Sequence, residues 1–246
     1  MPEEKLKLKD KIALVTGAST GIGQAIAKAL AKQGAIVAIT SRHLEDLKQT
    51  AQMIGDPSKT AIIPADLNLD KDVSYLAKMV KFKFGKIDIF IHAAAVWHTQ
   101  TKVLAGLEYD KFDESQITET MNVGILSPMV LLKKLLPTMQ PGSKIVNITG
   151  TFKEGGKGWV PYYVSKQALE KLTLSLAEDF KDRKIQVNAV SPGDTLTPAF
   201  IQFFPQYAKP NICVTPELVA KKVLQLVDPD NSTTGKIVVV QKSAKN

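Results

Sequence analysis

Short apolar segments alternate with segments of helical periodicity along nearly the whole chain, and this alternation constrains the fold most strongly. The apolar segments are near-continuous runs of Val, Ile and Leu, which is typical of strands buried on both faces of a parallel sheet. They cover residues 11–17, 35–40, 60–67, 86–94, 143–150, 184–193 and 236–241. We therefore predict an α/β fold, a doubly wound parallel sheet of about seven strands with helices on both faces.

Length and composition limit how the chain is organised. Its 246 residues are 44% apolar and 23% charged, and contain no repeat or linker, which favours one domain over 1–246. The segment 198–214 breaks the strand–helix pattern, because it is aromatic and rich in proline. We expect it to form a mobile flap near the substrate, or else a packed surface loop or an oligomer contact.

Several features favour a cytoplasmic location. The single cysteine, Cys213, fits a reducing compartment. The first residues lack the apolar region of a signal peptide, and the apolar run 87–97 is too short to span a bilayer.

The net charge of +8 is spread over the chain without a dense basic block. We therefore expect a lysine-rich solvated surface, or attraction to small anionic partners, and no nucleic-acid or membrane partner.

A glycine-rich turn joins the first apolar run to the first helix, with the sequence T-G-A-S-T-G-I-G from Thr16 to Gly23. Glycines allow a tight turn and a close approach of the backbone, and the helix N-terminus offers N–H groups to a pyrophosphate. This placement predicts a Rossmann-like dinucleotide site. The predicted contacts are Gly17, Ser19, Thr20, Gly21, Ile22 and Gly23.

The end of the second strand predicts NADP as the cofactor. Folds of this kind that prefer NAD place an Asp or Glu there, which binds the ribose 2′-OH. This chain has Ser41 and Arg42 instead. A guanidinium suits a 2′-phosphate, because it can make bidentate, charge-assisted hydrogen bonds. The alternative for Arg42 is a surface charge beside a helix.

Five motifs in order resemble the short-chain dehydrogenases/reductases, of the smaller type with about 250 residues, over positions 10–240. Besides the glycine run, they are Asp66 after the third strand, Asn122 in M-N-V-G, Tyr162 and Lys166 in Y-x-x-x-K, and Pro192, Gly193 and Thr197 in P-G-x-x-x-T. The resemblance implies that Asp66 lies beside the adenine. It implies further cofactor contacts from Leu67, Ala94, Tyr162, Lys166, Pro192, Gly193, Thr195 and Thr197. It also implies a homotetramer or homodimer formed through the long helices near 114–136 and 162–181.

Two segments depart from the family pattern. The family's N-N-A-G is replaced by H-A-A-A at 92–95, where His92 is expected to be structural and Ala94 still to pass the cofactor. The family's fifth strand usually ends I-V-N-I-S-S, and Gly150 stands in place of the second Ser. In the family this Ser commonly lies 13 residues before the Tyr, which favours Thr149 as the replacement hydroxyl. Thr151 is the alternative.

The Tyr–Lys spacing predicts acid–base chemistry. Residues four apart share one helix face, so the charge of Lys166 is expected to lower the pKa of Tyr162 by roughly two units. Tyr163 is the alternative on spacing alone, and the resemblance favours Tyr162. The resemblance further implies that Asn122 supports a water-linked proton path to Lys166. Thr149 would hold the substrate oxygen.

Together these residues predict an NADP(H)-dependent oxidoreductase that transfers hydride between nicotinamide and a carbonyl or secondary alcohol. Aromatic residues within 95–101, 151–161 and 198–211 favour an apolar small-molecule substrate. No metal site is predicted. The alternative is a cofactor-binding protein of the same fold with little catalysis, used for sensing or assembly, which the missing Ser and the altered N-N-A-G favour.

Overall fold

A computed structural model of the chain describes residues 6–152 and 154–242; residues 1–5, on which part of the cytoplasmic prediction rests, lie outside these ranges, as do 153 and 243–246 of the predicted domain. The strands are β1 (Ile12–Thr16), β2 (Ile36–Thr40), β3 (Thr60–Ile62), β4 (Ile89–His92), β5 (Lys144–Ile148), β6 (Gln186–Pro192) and β7 (Ile237–Val240). The helices are α1 (Gly21–Lys32), α2 (Leu44–Ile54), α3 (Asp70–Phe84), α4 (Glu114–Met121), α5 (Ser127–Leu135), α6 (Val160–Asp179), α7 (Pro198–Phe203) and α8 (Pro216–Val227). None of the described helices is both long and apolar enough to cross a membrane.

The strands form one parallel sheet in the order β3-β2-β1-β4-β5-β6-β7. This confirms the predicted Rossmann-like doubly wound sheet, and each predicted strand run contains one strand. β3 is shorter than its run, because Pro64 has no N–H to donate to a neighbouring strand. The chain still follows β2, since the N–H groups of Ile63 and Ala65 donate to the carbonyls of Ile39 and Ser41.

The sheet is buried on both faces, as the continuous apolar runs predict. In β1, Leu14 packs into a core that includes residues of α3 and α5. Its neighbours Ala13 and Val15 point to the opposite face and pack into a core with residues of α1 and α8. Hydrophobic burial on both faces therefore fixes the strand ends from which the site loops emerge.

The strand order changes direction between β1 and β4, which are neighbours in the sheet although β2 and β3 lie between them in sequence. In open α/β sheets, ligands bind outside the carboxyl ends of the strands at such a point. The turns after β1 and β4 approach one another closely there. A Cβ atom on Gly17 would lie 2.7 Å from the Cα of Ala94, so a side chain at position 17 would collide with the backbone after β4.

Candidate active site

The glycine-rich turn after β1 has a backbone that requires glycine. Gly17 and Gly21 have φ values of 65° and 57°, in the left-handed region that favours glycine. A Cβ atom on Gly23 would lie 2.2 Å from the carbonyl oxygen of Gly17. Thr20 is the N-cap of α1, and within the described structure its side chain makes no capping hydrogen bond. The N–H groups of the first turn of α1 are therefore available to a bound anion.

Two polar residues that sequence analysis missed form hydrogen bonds with the carbonyl groups of this turn. The hydroxyl of Thr50, on α2, donates to the carbonyl of Ala18 at 2.9 Å. The amide of Gln24, on α1, donates to the carbonyl of Ser19 at 3.0 Å and to the hydroxyl of Thr50 at 2.9 Å. The sequence signal for these contacts was Thr50, because a polar residue beside Leu47 on the buried side of α2 needs a hydrogen-bond partner. These bonds hold the turn's carbonyls on the side of α2.

The predicted nucleotide-binding residues lie at the ends of β2 and β3. The N–H of Ala65 donates to the carbonyl of Ser41 at 3.0 Å, which brings Asp66 beside the end of β2. A carboxylate oxygen of Asp66 accepts from the N–H of Asn68 at 2.9 Å. The Nη1 of Arg42 forms an ion pair with the Oε1 of Glu119, on α4, at 2.7 Å. Leu67 is buried in the core, so any cofactor contact from it would be made by its backbone.

Thr16 ties β1 to β4 at the place where the family's Asn is missing. Its hydroxyl oxygen accepts from the N–H groups of Ala93 and Ala94 at 3.2 Å and 3.3 Å. It lies 3.0 Å from the Nδ1 of His92. Because both lone pairs of the hydroxyl are used, its hydrogen points to Nδ1 and the proton of the imidazole is on Nε2.

His92 is fully buried, and within the described residues its Nε2 has no partner at hydrogen-bonding distance, although the backbone of Val123 lies near the ring. Burial, assisted by the nearby charge of Lys166, lowers the pKa of His92 to about 3. The side chain is therefore neutral at physiological pH. A neutral His92 agrees with the expectation that this residue is structural, since it contacts the Thr16 hydroxyl that joins β1 to the segment after β4.

The loop after β6 reaches the beginning of α1. The N–H of Gly193 donates to the carbonyl of Val240 at 2.9 Å, and the hydroxyl of Thr195 donates to the carbonyl of Gly193 at 2.8 Å. Thr197 caps α7, and its methyl group would lie 3.0 Å from a Cβ atom placed on Gly21. The structure thus brings Thr197 of the predicted P-G-x-x-x-T motif against the glycine-rich turn.

Tyr162 and Lys166 share one face of α6, as the spacing predicts. The Nζ of Lys166 lies 5.5 Å from the centroid of the Tyr162 ring and donates to the carbonyl of Ile148 at 2.7 Å. Burial lowers the pKa of Lys166 to about 8. Burial also raises the pKa of Tyr162. The expected lowering of the Tyr162 pKa is therefore absent, because desolvation of the phenol outweighs the charge of Lys166.

Asn122 begins a five-residue π-helical segment, Asn122–Leu126, between α4 and α5. Its amide donates to the side-chain oxygen of Asn68 at 2.9 Å, which connects it to the loop after β3. Segments of π-helix inside α-helices are frequent at functional sites. Packing on α6 is tight here, since a Cβ atom on Gly124 would lie 2.8 Å from the Cβ of Ser165.

Both candidate hydroxyls after β5 are engaged with other groups. Thr149 donates to the Oε1 of Glu170 at 3.0 Å, and Thr151 donates to the carbonyl of Ser191 at 3.0 Å. The position that points toward the Tyr–Lys pair is Gly150. A Cβ atom there would lie 3.9 Å from the Cγ of Lys166 and 3.2 Å from the ring of Phe152. A phenyl ring thus lies against the position of the family's Ser.

An aromatic cluster adjoins Tyr162, and we define it as Trp97, Trp159, Phe203 and Phe204. Trp159 lies 5.8 Å from Tyr162 between ring centroids, and 6.0 Å from Trp97. Phe204 stacks on Trp97 at 6.2 Å, and Phe203 lies edge-on to it at 6.1 Å. The segment 198–214 therefore contacts both the loop after β4 and the beginning of α6.

Tyr163, the alternative on spacing, packs elsewhere. Its ring centroid lies 5.1 Å from that of Phe152, and its Cβ would lie 2.6 Å from a Cβ atom on Gly156. It therefore contacts the turn before α6. The edge of Phe152 also meets Tyr162, at 5.8 Å between centroids.

Known proteins match this chain in both sequence and structure. The family model for the short chain dehydrogenases matches residues 11–208. NADPH-dependent aldehyde reductase 1, chloroplastic, of Arabidopsis thaliana is 31% identical over 201 residues, covering 78% of this chain and 68% of the relative. A short chain dehydrogenase from Burkholderia cenocepacia in complex with NADP has a TM-score of 0.85 and 29% identity, over 98% of this chain and 100% of that chain.

A second solved structure carries the other nicotinamide cofactor. The 3-ketoacyl-(acyl-carrier-protein) reductase from Brucella melitensis, complexed with NADH, has a TM-score of 0.86 and 25% identity, over 97% of this chain and 100% of that chain. The family match over residues 11–208 agrees with the glycine-rich turn and the Tyr–Lys pair, both of which lie near the carboxyl ends of the strands of a doubly wound sheet. The chain is therefore an oxidoreductase of the short-chain dehydrogenase family.

Proposed function

We propose that the chain is an NADP(H)-dependent reductase of an apolar carbonyl, or a dehydrogenase of the corresponding secondary alcohol, with Tyr162 as the general acid and base. The observation that carries this proposal is the pair formed by the half-buried Tyr162 and the buried Lys166, which adjoins the aromatic cluster through Trp159. A proton donor and an apolar surface are thus available to one small substrate.

The cofactor side of the crevice fits a dinucleotide with a 2′-phosphate. Gly17 and Gly23 let the turn pack tightly against the loop after β4 and against its own backbone, and the first turn of α1 would hold the pyrophosphate. Arg42 would hold the 2′-phosphate, with Ser41 and Asp66 beside the nucleoside. Ala94, Lys166 and the residues Pro192, Gly193, Thr195 and Thr197 would enclose the nicotinamide half. When bound, the cofactor supplies or accepts the hydride.

Tyr162 would act as the proton donor during reduction. Its raised pKa keeps the phenol protonated at neutral pH, so a proton is available for the carbonyl oxygen. With a pKa of about 8, Lys166 is mostly charged at pH 7. A positive charge near the ring stabilises the phenolate that is left after donation. Lys166 would thus stabilise the product of proton transfer, and Asn122 would support a water-linked path for the returning proton.

The spacing-based role of Thr149 requires an exchange of hydrogen bonds. Its hydroxyl hydrogen points to Glu170, and a substrate oxygen would need that same hydrogen. The proposed chemistry therefore rests on Tyr162 for contact with the oxygen, unless substrate binding releases Thr149. The segment 198–214 would act as a flap, because Phe203 and Phe204 supply half of the aromatic cluster.

We also propose a cytoplasmic homo-oligomer, either a dimer or a tetramer, assembled through the long helices near 114–136, which include α4 and α5, and near 162–181, which is α6. Exposed apolar side chains on these helices support this assembly. They are Met129 and Val130 on α5, and Val164 and Leu174 on α6. Sedimentation at micromolar concentration is expected to give a dimer or larger species, and a monomer would contradict the proposal.

NADPH oxidation with a panel of aromatic and aliphatic ketones and aldehydes tests the proposed function. Tyr162→Phe removes the proton donor, and we expect kcat/KM to fall by about 10² to 10⁴. Tyr163→Phe, on the neighbouring residue, is the matched control and is expected to stay within about threefold. Full activity of Tyr162→Phe would contradict the mechanism. NADPH binding without turnover of any substrate would favour the alternative, a cofactor-binding protein, which the absence of a hydroxyl at Gly150 supports.

A further inference from the structure

The guanidinium that is proposed to bind the 2′-phosphate already has an anionic partner in this chain. The Nη1 of Arg42 lies 2.7 Å from the Oε1 of Glu119. The pair joins the end of β2 to α4 across 77 positions of sequence, so it is made by the fold and not by local helix spacing. Both side chains retain access to water, with 42% and 26% of their surfaces exposed. A ligand can therefore reach either of them.

A carboxylate at this position affects NADP and NAD differently. The 2′-phosphate carries about two negative charges. It would either share Arg42 with Glu119 or displace the Glu119 carboxylate, which it repels at short range. The 2′-hydroxyl of NAD is uncharged, so it meets no such repulsion. Exposed ion pairs are weak, so the phosphate can displace the carboxylate, but part of the affinity that Arg42 provides is then lost.

We infer that Glu119 is a specificity-determining residue that lowers the preference of this chain for NADP(H) over NAD(H), by competing with the 2′-phosphate for Arg42. This inference rests on the proposed role of Arg42 in cofactor binding. It assigns a function to a residue of α4 that lies outside the family motifs. It also predicts that the dissociation constants of NADPH and NADH differ less than Arg42 alone would imply.

Cofactor binding to the whole protein tests this inference without any substrate. Dissociation constants for NADPH and NADH are measured by nucleotide fluorescence or calorimetry at about 0.1 M salt. For Glu119→Gln we expect NADPH to bind about three- to tenfold more tightly, and NADH to change by less than about twofold. Glu119→Lys is expected to change NADPH binding further in the same direction. The matched control is Glu114→Gln, the same substitution on the same helix, for which neither constant is expected to change.

The outcomes separate this inference from the proposed cofactor. Arg42→Ala is expected to weaken NADPH binding and to leave NADH binding nearly unchanged. If Arg42→Ala behaves so, but Glu119→Gln weakens NADPH or leaves the ratio of the two constants unchanged, only the role of Glu119 is overturned. The weakening would show that the carboxylate orients Arg42 for the phosphate. If NADPH does not bind, or binds independently of Arg42, both assignments fail.

Discussion

The turn after β1 and the segment after β5 both follow parallel strands at the same edge of the sheet, yet their determinants differ. The turn is specified by backbone geometry, since neighbouring backbone atoms leave no room for a Cβ atom at positions 17 and 23. The segment after β5 is specified by side chains, and there a glycine and the ring of Phe152 stand where the family has a Ser. Cofactor binding thus depends on features that few residue types can satisfy. In the proposed function, substrate contact after β5 depends on side chains, and several residue types could supply them.

The strongest test of this contrast is Gly23→Ala. The added Cβ would lie 2.2 Å from the carbonyl oxygen of Gly17, so the turn must shift. We expect NADPH binding to weaken by more than about 100-fold, because the N–H groups of the turn leave their positions. Gly85→Ala is the control, since nothing lies near the Cβ position of that glycine, whose φ of 68° makes any side chain strained there. It should reduce stability without changing the dissociation constant of NADPH.

The next test concerns His92, where the strand ends of the two regions meet. The folded-state pKa of about 3 lies below the ordinary value of 6.5, so the unfolded chain takes up the proton first as pH falls. The stability contributed by the neutral side chain is therefore present above pH 6.5 and lost as pH falls toward 3. Between pH 7.5 and 5 we expect wild type to lose about 2 kcal/mol more unfolding free energy than His92→Asn.

Urea unfolding at the two pH values measures this difference. His43→Asn, the same substitution at an exposed histidine, is the control and is unfolded at the same two pH values. Equal pH dependence in wild type and His92→Asn would show that the imidazole takes up its proton in the folded state as readily as in the unfolded chain.

The smallest expected effect comes from restoring a hydroxyl on the substrate side. Gly150→Ser places an O–H near the Tyr–Lys pair, and we expect kcat to rise by about tenfold relative to Gly150→Ala, which adds the Cβ alone. The ring of Phe152 must move slightly in both variants, so steric effects cancel in the comparison. Thr149→Ala is expected to change kcat by less than about tenfold. A larger loss would show that Thr149 leaves Glu170 when substrate binds.

The fold and the cofactor side could be predicted from sequence because their signals are local and repeated. Apolar runs of the right length predicted all seven strands of the sheet. The glycine spacing after β1 predicted a tight turn, and Gly17 and Gly21 in that turn have positive φ. The end of β2 predicted Ser41 and Arg42 as nucleotide contacts, and these contacts stay a prediction. These features follow from backbone sterics and burial, which single residue types report directly.

The remaining features depend on which side chains the fold brings together. Thr16 resembles any strand-end threonine until its hydroxyl is seen to bind the backbone after β4. Glu119 is one of several acids on a polar helix, and its contact with Arg42 spans 77 positions. Counting residues favoured Thr149, but the direction of its side chain depends on the local path of the chain after β5. The raised pKa of Tyr162 likewise reflects burial, which spacing does not report.

The π-helical segment Asn122–Leu126 sets the rotational phase between α4 and α5. One residue turns an α-helix by about 100°, so an extra residue in a π turn rotates everything before it relative to everything after it. Asn122 and Glu119 reach the loop after β3 and the end of β2, while Leu131 and Leu135 face the core. Removing one residue within 122–126 would turn the two faces out of phase. Changes in length at this segment are therefore expected to damage cofactor binding more than most substitutions within it.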